Sequence, residues 1–151
     1  MNLISEGRKA LVERLGIITP GNGFNSDAGT RVKSGWVNEI IKDADAAYPL
    51  IVVQRAKGQA PSPGPNALKI SPGFYVVGAV SVGTDYEDAL DDLELDLLRC
   101  LIPEEKRFPK WLPPGVLGIK FGDPEQFPPA EGLSAATVLI PVYLPTIIQA
   151  Q

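Results

Sequence analysis

The sequence predicts an α+β fold: a small, largely antiparallel β-sheet flanked by two main helices, in a single domain spanning 1–151. Three observations carry this reading. Apolar blocks follow the order helix, strands, helix, strands, and such segregation favours helices packed on an antiparallel sheet. Two neighbouring blocks, Leu50–Ala56 and Phe74–Val82, have the continuity or alternation of buried strands. A length of 151 residues, with 44% hydrophobic and 21% charged residues, suits one domain with its own core.

The first helix is predicted over residues 2–15. Leu3, Ile4, Leu11, Val12 and Leu15 keep a 3.6-residue period, and Gly16 is the expected stop. Gly7 in its interior weakens it by about 1 kcal/mol. The stretch 17–30 is rich in turn residues. Its Gly21-Asn22-Gly23 follows no clear strand and opens no helix, so it reads as a turn and not as a phosphate cradle. Arg31–Ile41 fits neither period and is read as a short strand followed by a bend; Asp43–Tyr48 is read as a turn. Pro49 then introduces the strand Leu50–Ala56.

Residues 58–66, G-Q-A-P-S-P-G-P-N, contain three prolines and two glycines. That composition is expected to prevent helix or sheet pairing and to leave a protruding hairpin tip. A proline-rich ligand segment is the functional alternative. Leu68–Ile70 and Phe74–Val82 return as a strand. Phe74, Val76, Gly78, Val80 and Val82 share one face; Tyr75, Val77, Ala79 and Ser81 share the other. After the second helix, residues 102–115 form an irregular, mostly basic connection in which Trp111 plugs the core. Val116–Phe121 is a weak short strand and 122–132 an irregular loop. Ala135–Leu144 is a strand that Pro141 places at an edge or a bulge. The closing P-T-I-I-Q-A-Q is an apolar tail with no evident partner.

The second helix, Thr84–Leu101, is the clearest element. Thr84 and Glu87 have capping-box spacing, Leu90, Leu93, Leu97 and Leu101 form one apolar stripe, and Pro103 stops it. Asp85, Glu87 and Asp88 complement the dipole at its start and Arg99 at its end. Asp88, Asp92 and Asp96 recur at i, i+4 and i+8 with no Lys or Arg between Asp85 and Asp96, a repulsion of about 0.2–0.5 kcal/mol per pair. Such a row reads either as a solvated face or as a face opposite basic groups of another chain, or lining a channel.

Composition excludes several functions. The net charge of −4 and a pI near 4.8 argue against a broad basic nucleic-acid surface. With no histidine, the commonest general base and metal ligand are missing, and Ser–His or Cys–His pairs cannot form within one chain. One cysteine rules out an internal disulfide and fits a reducing compartment; Cys100, beside the leucine stripe, reads as a buried, inert thiol. No apolar run reaches the roughly 20 residues of a membrane span, and the N-terminus lacks the apolar core of a signal peptide.

The order of features resembles the tail-terminator (tail-completion) proteins of long-tailed bacteriophages. An N-terminal helix precedes N-S-D-A-G-T-R-V, then D-A-D-A-A-Y-P-L-I-V-V, a protruding hairpin, a helix beginning E-D-A-L-D-D-L, and a late A-A-T-V-L-I-P-V strand. The resemblance implies a structural virion protein without catalysis, metal or cofactor. It would form a homohexameric ring on the head-proximal end of the tail tube, assembled in the host cytoplasm. The ring would stop tube polymerisation and offer the head-joining surface. Its partners would be copies of itself, the tail tube protein and a head-tail connector or head-completion protein, with no membrane and with DNA only as passing cargo.

Rings use heterologous contacts between different patches. Candidate interface or lumen charges are therefore the acids Asp88, Asp92 and Asp96 and the basic group Lys106, Arg107 and Lys110. Alternatives are another phage neck or connector protein, an unrelated interaction domain, or a carboxylate Mg²⁺ enzyme using the stretch Asp91–Asp96. The last is disfavoured because Asp92 and Glu94 point to different helix faces and no basic phosphate clamp adjoins them.

Overall fold

The computed structural model describes residues 2–43, 45–83, 85–103, 109–129 and 134–151. Its first helix, α1 (Leu3–Leu15), starts where Asn2 accepts the backbone N–H groups of Ile4 and Ser5 at 3.0 and 3.1 Å. These are two of the four donors that every helix start leaves open. Leu11 and Leu15 are buried. Gly7 is buried as well: a Cβ there would lie 3.1 Å from Leu144 Cδ1, so the gap in its side chain is filled by that leucine. Gly16 ends the helix with a right-handed φ of −63°, so the stop does not draw on glycine's left-handed freedom.

The segment read as strand and bend is a short strand, β1 (Val32–Ser34), followed by one helical turn, α2 (Val37–Ile41). The remaining elements are β2 (Leu50–Gly64), β3 (Ala67–Ser81), α3 (Tyr86–Leu101), β4 (Lys120–Phe121), β5 (Glu125–Phe127), β6 (Ala135–Tyr143) and β7 (Thr146–Gln149). One sheet joins the strands in the order β1-β2-β3-β6-β4, with β5 also on β6 and β7 also on β3. Of the pairings, β1–β2 is parallel and the others antiparallel. The α+β reading therefore holds, with α1 and α3 as the two main helices.

The alternation in β3 sorts the sheet's two faces. Phe74, Val76 and Val80 join Leu11, Leu15, Leu90, Leu93, Leu97 and Leu101 in the main core beneath α1 and α3. Gly78 lies on this face too; a Cβ there would lie 2.6 Å from Leu93 Cδ2 and 3.2 Å from Leu97 Cδ1. Ala79 faces the other way and joins Leu50, Val52, Ile41 and Ala135 in a second, smaller cluster under α2. Cys100 is buried at the α1–α3 contact, where its thiol donates to the Arg14 carbonyl at 3.3 Å and its carbonyl accepts Arg14 Nε at 3.0 Å. Burial, the chief cause, pushes the thiol up to about 11. The Arg14 guanidinium lies 5.9 Å from the ring centre of Trp111, which packs half-buried against the main core as expected.

Five local expectations are corrected. The proline-rich segment does pair: β2 runs through it to Gly64, with register shifts between Ala56 and Gln59 and between Gln59 and Ser62. Beyond Val53 the outer edge of β2 has no strand partner among the described residues, and prolines are tolerated at such edges and bulges. Pro141 is not on an edge, because β6 lies between β3 and β4. The Pro141 carbonyl accepts Gly122 N–H at 2.8 Å, so the side of the strand that lacks a donor faces the joint between β4 and β5. The C-terminal tail has a partner, since β7 pairs with Ala67–Ile70. The loop 122–132 contains β5, whose Glu125–Phe127 pairs with Thr137–Leu139. Where 116–121 was read as a strand, only Lys120 and Phe121 pair in β4, while Val116 bridges Thr146. The capping residue Thr84 lies outside the described residues; Asp85 holds the N-cap position with no side-chain cap bond.

Candidate functional site

The acid row of α3 splits in the structure. Asp96 is fully buried. Its carboxylate accepts the backbone N–H groups of Asn25 and Ser26 at 2.9 and 2.8 Å and the Ser26 hydroxyl at 2.8 Å. The i+8 spacing from Asp88 had put it on the same face; the segment Phe24–Asp27 packs over that end of the face and takes Asp96 out of solvent. This corrects its reading as an interface or lumen charge. Its work is to pin the turn after α1, the N-S-D-A-G-T-R-V segment, onto the helix.

Asp88 and Asp92 remain exposed. Asp91 and Glu94, on the neighbouring row, both accept Gln126 Nε2 of β5, at 2.8 and 3.2 Å, which offsets part of their repulsion. The stretch Asp91–Asp96 thus points in three directions, and among the described residues no three acidic or sulfur side chains converge on a metal position. Of the expected basic group, Lys106 and Arg107 lie outside the described residues and Lys110 is exposed. Among the described residues the ion pairs are Lys9–Glu6 at 3.9 Å and Arg31–Asp27 at 3.1 Å, so Asp88, Asp92 and Lys110 have no charged partner there.

Asp92 stands at the mouth of a cleft of about 450 Å³ whose wall includes Asn25, Ser26, Asp27, Tyr48 and Pro49. The Arg31 guanidinium grips Asp27 with both terminal nitrogens at 3.1 Å, and this hydrogen bonding, the largest influence, holds the Asp27 carboxyl below its ordinary value. On the opposite face of the sheet, Val37, Ile41, Val77, Phe127, Pro128 and Leu139 line an open apolar groove also of about 450 Å³. Trp36, 60% exposed, precedes α2, the short helix beside that groove.

Sequence reasoning missed the groove and also the charge of the β2–β3 hairpin. The groove needs strands β3 and β6 to be neighbours, which no local pattern gives. The charge of the β2–β3 hairpin was legible: Arg55, Lys57 and Lys69 are the only charged residues between Asp45 and Asp85.

No protein-family model matches the chain, and no curated protein matches it. Among solved structures, the fold is similar to that of a chain in the virion of a native gene transfer agent particle. The TM-score is 0.66 at 10% identity, over 97% of this chain and 98% of the other. At that identity the likeness is one of fold.

Proposed function

We propose that this chain is a structural virion protein that closes the head-proximal end of a phage-type tail tube as a homohexameric ring, ends tube growth and presents the head-joining surface. The observation that supports this most is the likeness in fold, along nearly the whole of both chains, to a chain of a gene transfer agent virion. The order of sequence features shared with tail terminators points the same way. Exposed apolar residues at two places, Trp36 before α2 and Leu95 with Ile102 along α3, fit a subunit that makes different contacts on different sides. The partners are further copies of this chain, the tube protein below and a connector or head-completion protein above. The protein acts by shape and association, without catalysis or cofactor, and DNA is passing cargo.

Asp88 and Asp92 are the acids available for a subunit contact or for a lumen that repels DNA phosphates. Light scattering and negative-stain images of the purified chain, alone and mixed with tail tubes, test the reading. Six-membered annuli that cap tube ends are expected. A twelve-membered ring would support a connector instead, and a monomer that never caps tubes would overturn the proposal.

A further inference from the structure

The distal halves of β2 and β3, with β7 alongside, form an arm that leaves the packed body. Helix α3 packs over Gly78, Pro72 and Gly73 are still buried, and Val116 bridges Thr146 of β7, so the arm leaves the body at Ile70. From Ile70 to the turn at Asn66 the strand runs roughly 13 Å, at about 3.3 Å per residue. Residues 59–66 are exposed throughout. A two-stranded hairpin is marginal in water by itself; β7 stiffens this one as a third strand, from Ala67↔Gln149 to Ile70↔Thr146.

The arm carries charge of one sign. Arg55 at its root is engaged within the chain, donating to the carbonyls of Ala56 and Gly73 at 2.9 and 2.7 Å and lying 5.4 Å from the ring centre of Phe74. Lys57 and Lys69 are exposed and make no ion pair among the described residues. Lys69 stands directly across from Ile147, so a cation and an exposed isoleucine share one face of the arm. Helix α3 offers the complement. From Asp85 to Leu98 it has no Lys or Arg, and exposed Leu95 lies one turn from exposed Asp92.

We infer that the arm of one copy docks along the exposed face of α3 of the next copy, Lys69 with Ile147 meeting Asp92 with Leu95, and Lys57 adding to the attraction. This rests on the ring reading above and names the contact within it. The occupant is a second copy because both halves of the match, a basic-apolar pair and an acidic-apolar pair, stand on one chain in places its own geometry separates. That is the arrangement a closed heterologous ring requires.

The test uses two full-length chains, one carrying Lys69→Cys and the other Asp92→Cys. Both positions are exposed, and the native Cys100 is buried. Mixed and oxidised, they are expected to give the heterodisulfide in clear excess over either homodisulfide. In parallel, the double reversal K57E/K69E is expected to weaken assembly at least tenfold at low salt, and combination with D88K/D92K to restore it. Rings that persist in light scattering without the heterodisulfide, and with no effect of reversal, overturn this contact while leaving the ring standing. A wild-type chain that stays monomeric and never caps tubes overturns both. Arm reversal that spares the ring but removes binding to duplex DNA or to a head-side protein also overturns the contact, and assigns the arm to that partner.

Discussion

Asp96 is the side chain on which the N-terminal half of the molecule is fastened to α3. It holds three donors without exposure to water. Truncation by Asp96→Ala strands two backbone N–H groups and a hydroxyl, and is expected to destabilise the fold by about 2–4 kcal/mol in urea unfolding. A change under about 0.5 kcal/mol, the range of an ordinary surface substitution, would contradict this role. Asp27 gives a pH-dependent counterpart. Its folded-state carboxyl sits below its ordinary 3.8 because Arg31 hydrogen-bonds the ionised form. The stabilisation is therefore complete above 3.8 and is lost as pH falls through the folded value. Wild type is expected to exceed Asp27→Asn in thermal midpoint at neutral pH, with the gap closing in acid; a gap that widens in acid would refute the assignment. At this scale the sequence identified the type of residue at α3 but not the surroundings of Asp96, because helical spacing sets a direction around the axis and not what lies in that direction.

Helix α3 and strand β3 make their contact through an absence. Gly78 has no Cβ, and one placed there would meet Leu93 Cγ at 2.8 Å. Gly78→Ala is expected to cost about 1–3 kcal/mol through overpacking, measured by urea unfolding, with partial recovery in combination with Leu93→Ala. The stripe of Leu90, Leu93, Leu97 and Leu101 was readable because burial of one helix face imposes its period on the sequence; the glycine beneath it was readable only as a member of the right strand face. Strand β7 shows the limit of local reading. Its residues look like a loose apolar tail, and their partner lies some eighty positions earlier in the chain, at Ala67–Ile70. Removal of residues 146–151 is expected to accelerate hydrogen exchange at those arm amides while leaving those of α3 protected. Uniform acceleration across both would mean that β7 supports the whole fold and not the arm.

The molecule as a whole presents one well-covered sheet face and one sparsely covered face. Helices α1 and α3 cover the first; among the described residues α2 and its neighbouring turn cover part of the second, beside the groove at Val77 and Leu139. The acids of α3 diverge, so millimolar Mg²⁺ or Mn²⁺ is expected to leave the thermal midpoint unchanged, whereas a specific metal site would raise it. An unevenly charged surface with a three-stranded arm is what the proposed ring contact needs. The basic-acidic division between arm and helix was present in the sequence as two uninterrupted runs of one sign, and its meaning depends on the arm projecting from the body.

By itself the sequence determined the α+β class, the two helices, the strand pair at 50–56 and 74–82, the two faces of β3 and the inert setting of Cys100. These follow from periodicity and local burial, which act between residues a few positions apart. Tertiary structure alone decided that the proline-rich segment would pair, that Pro141 would sit inside the sheet, that the C-terminal residues would find β3, and that Asp96 would leave the acidic face for the interior. Each of these depends on which distant segment supplies or occupies the neighbouring space, and steric fit and hydrogen-bond satisfaction across that distance leave no local pattern to read.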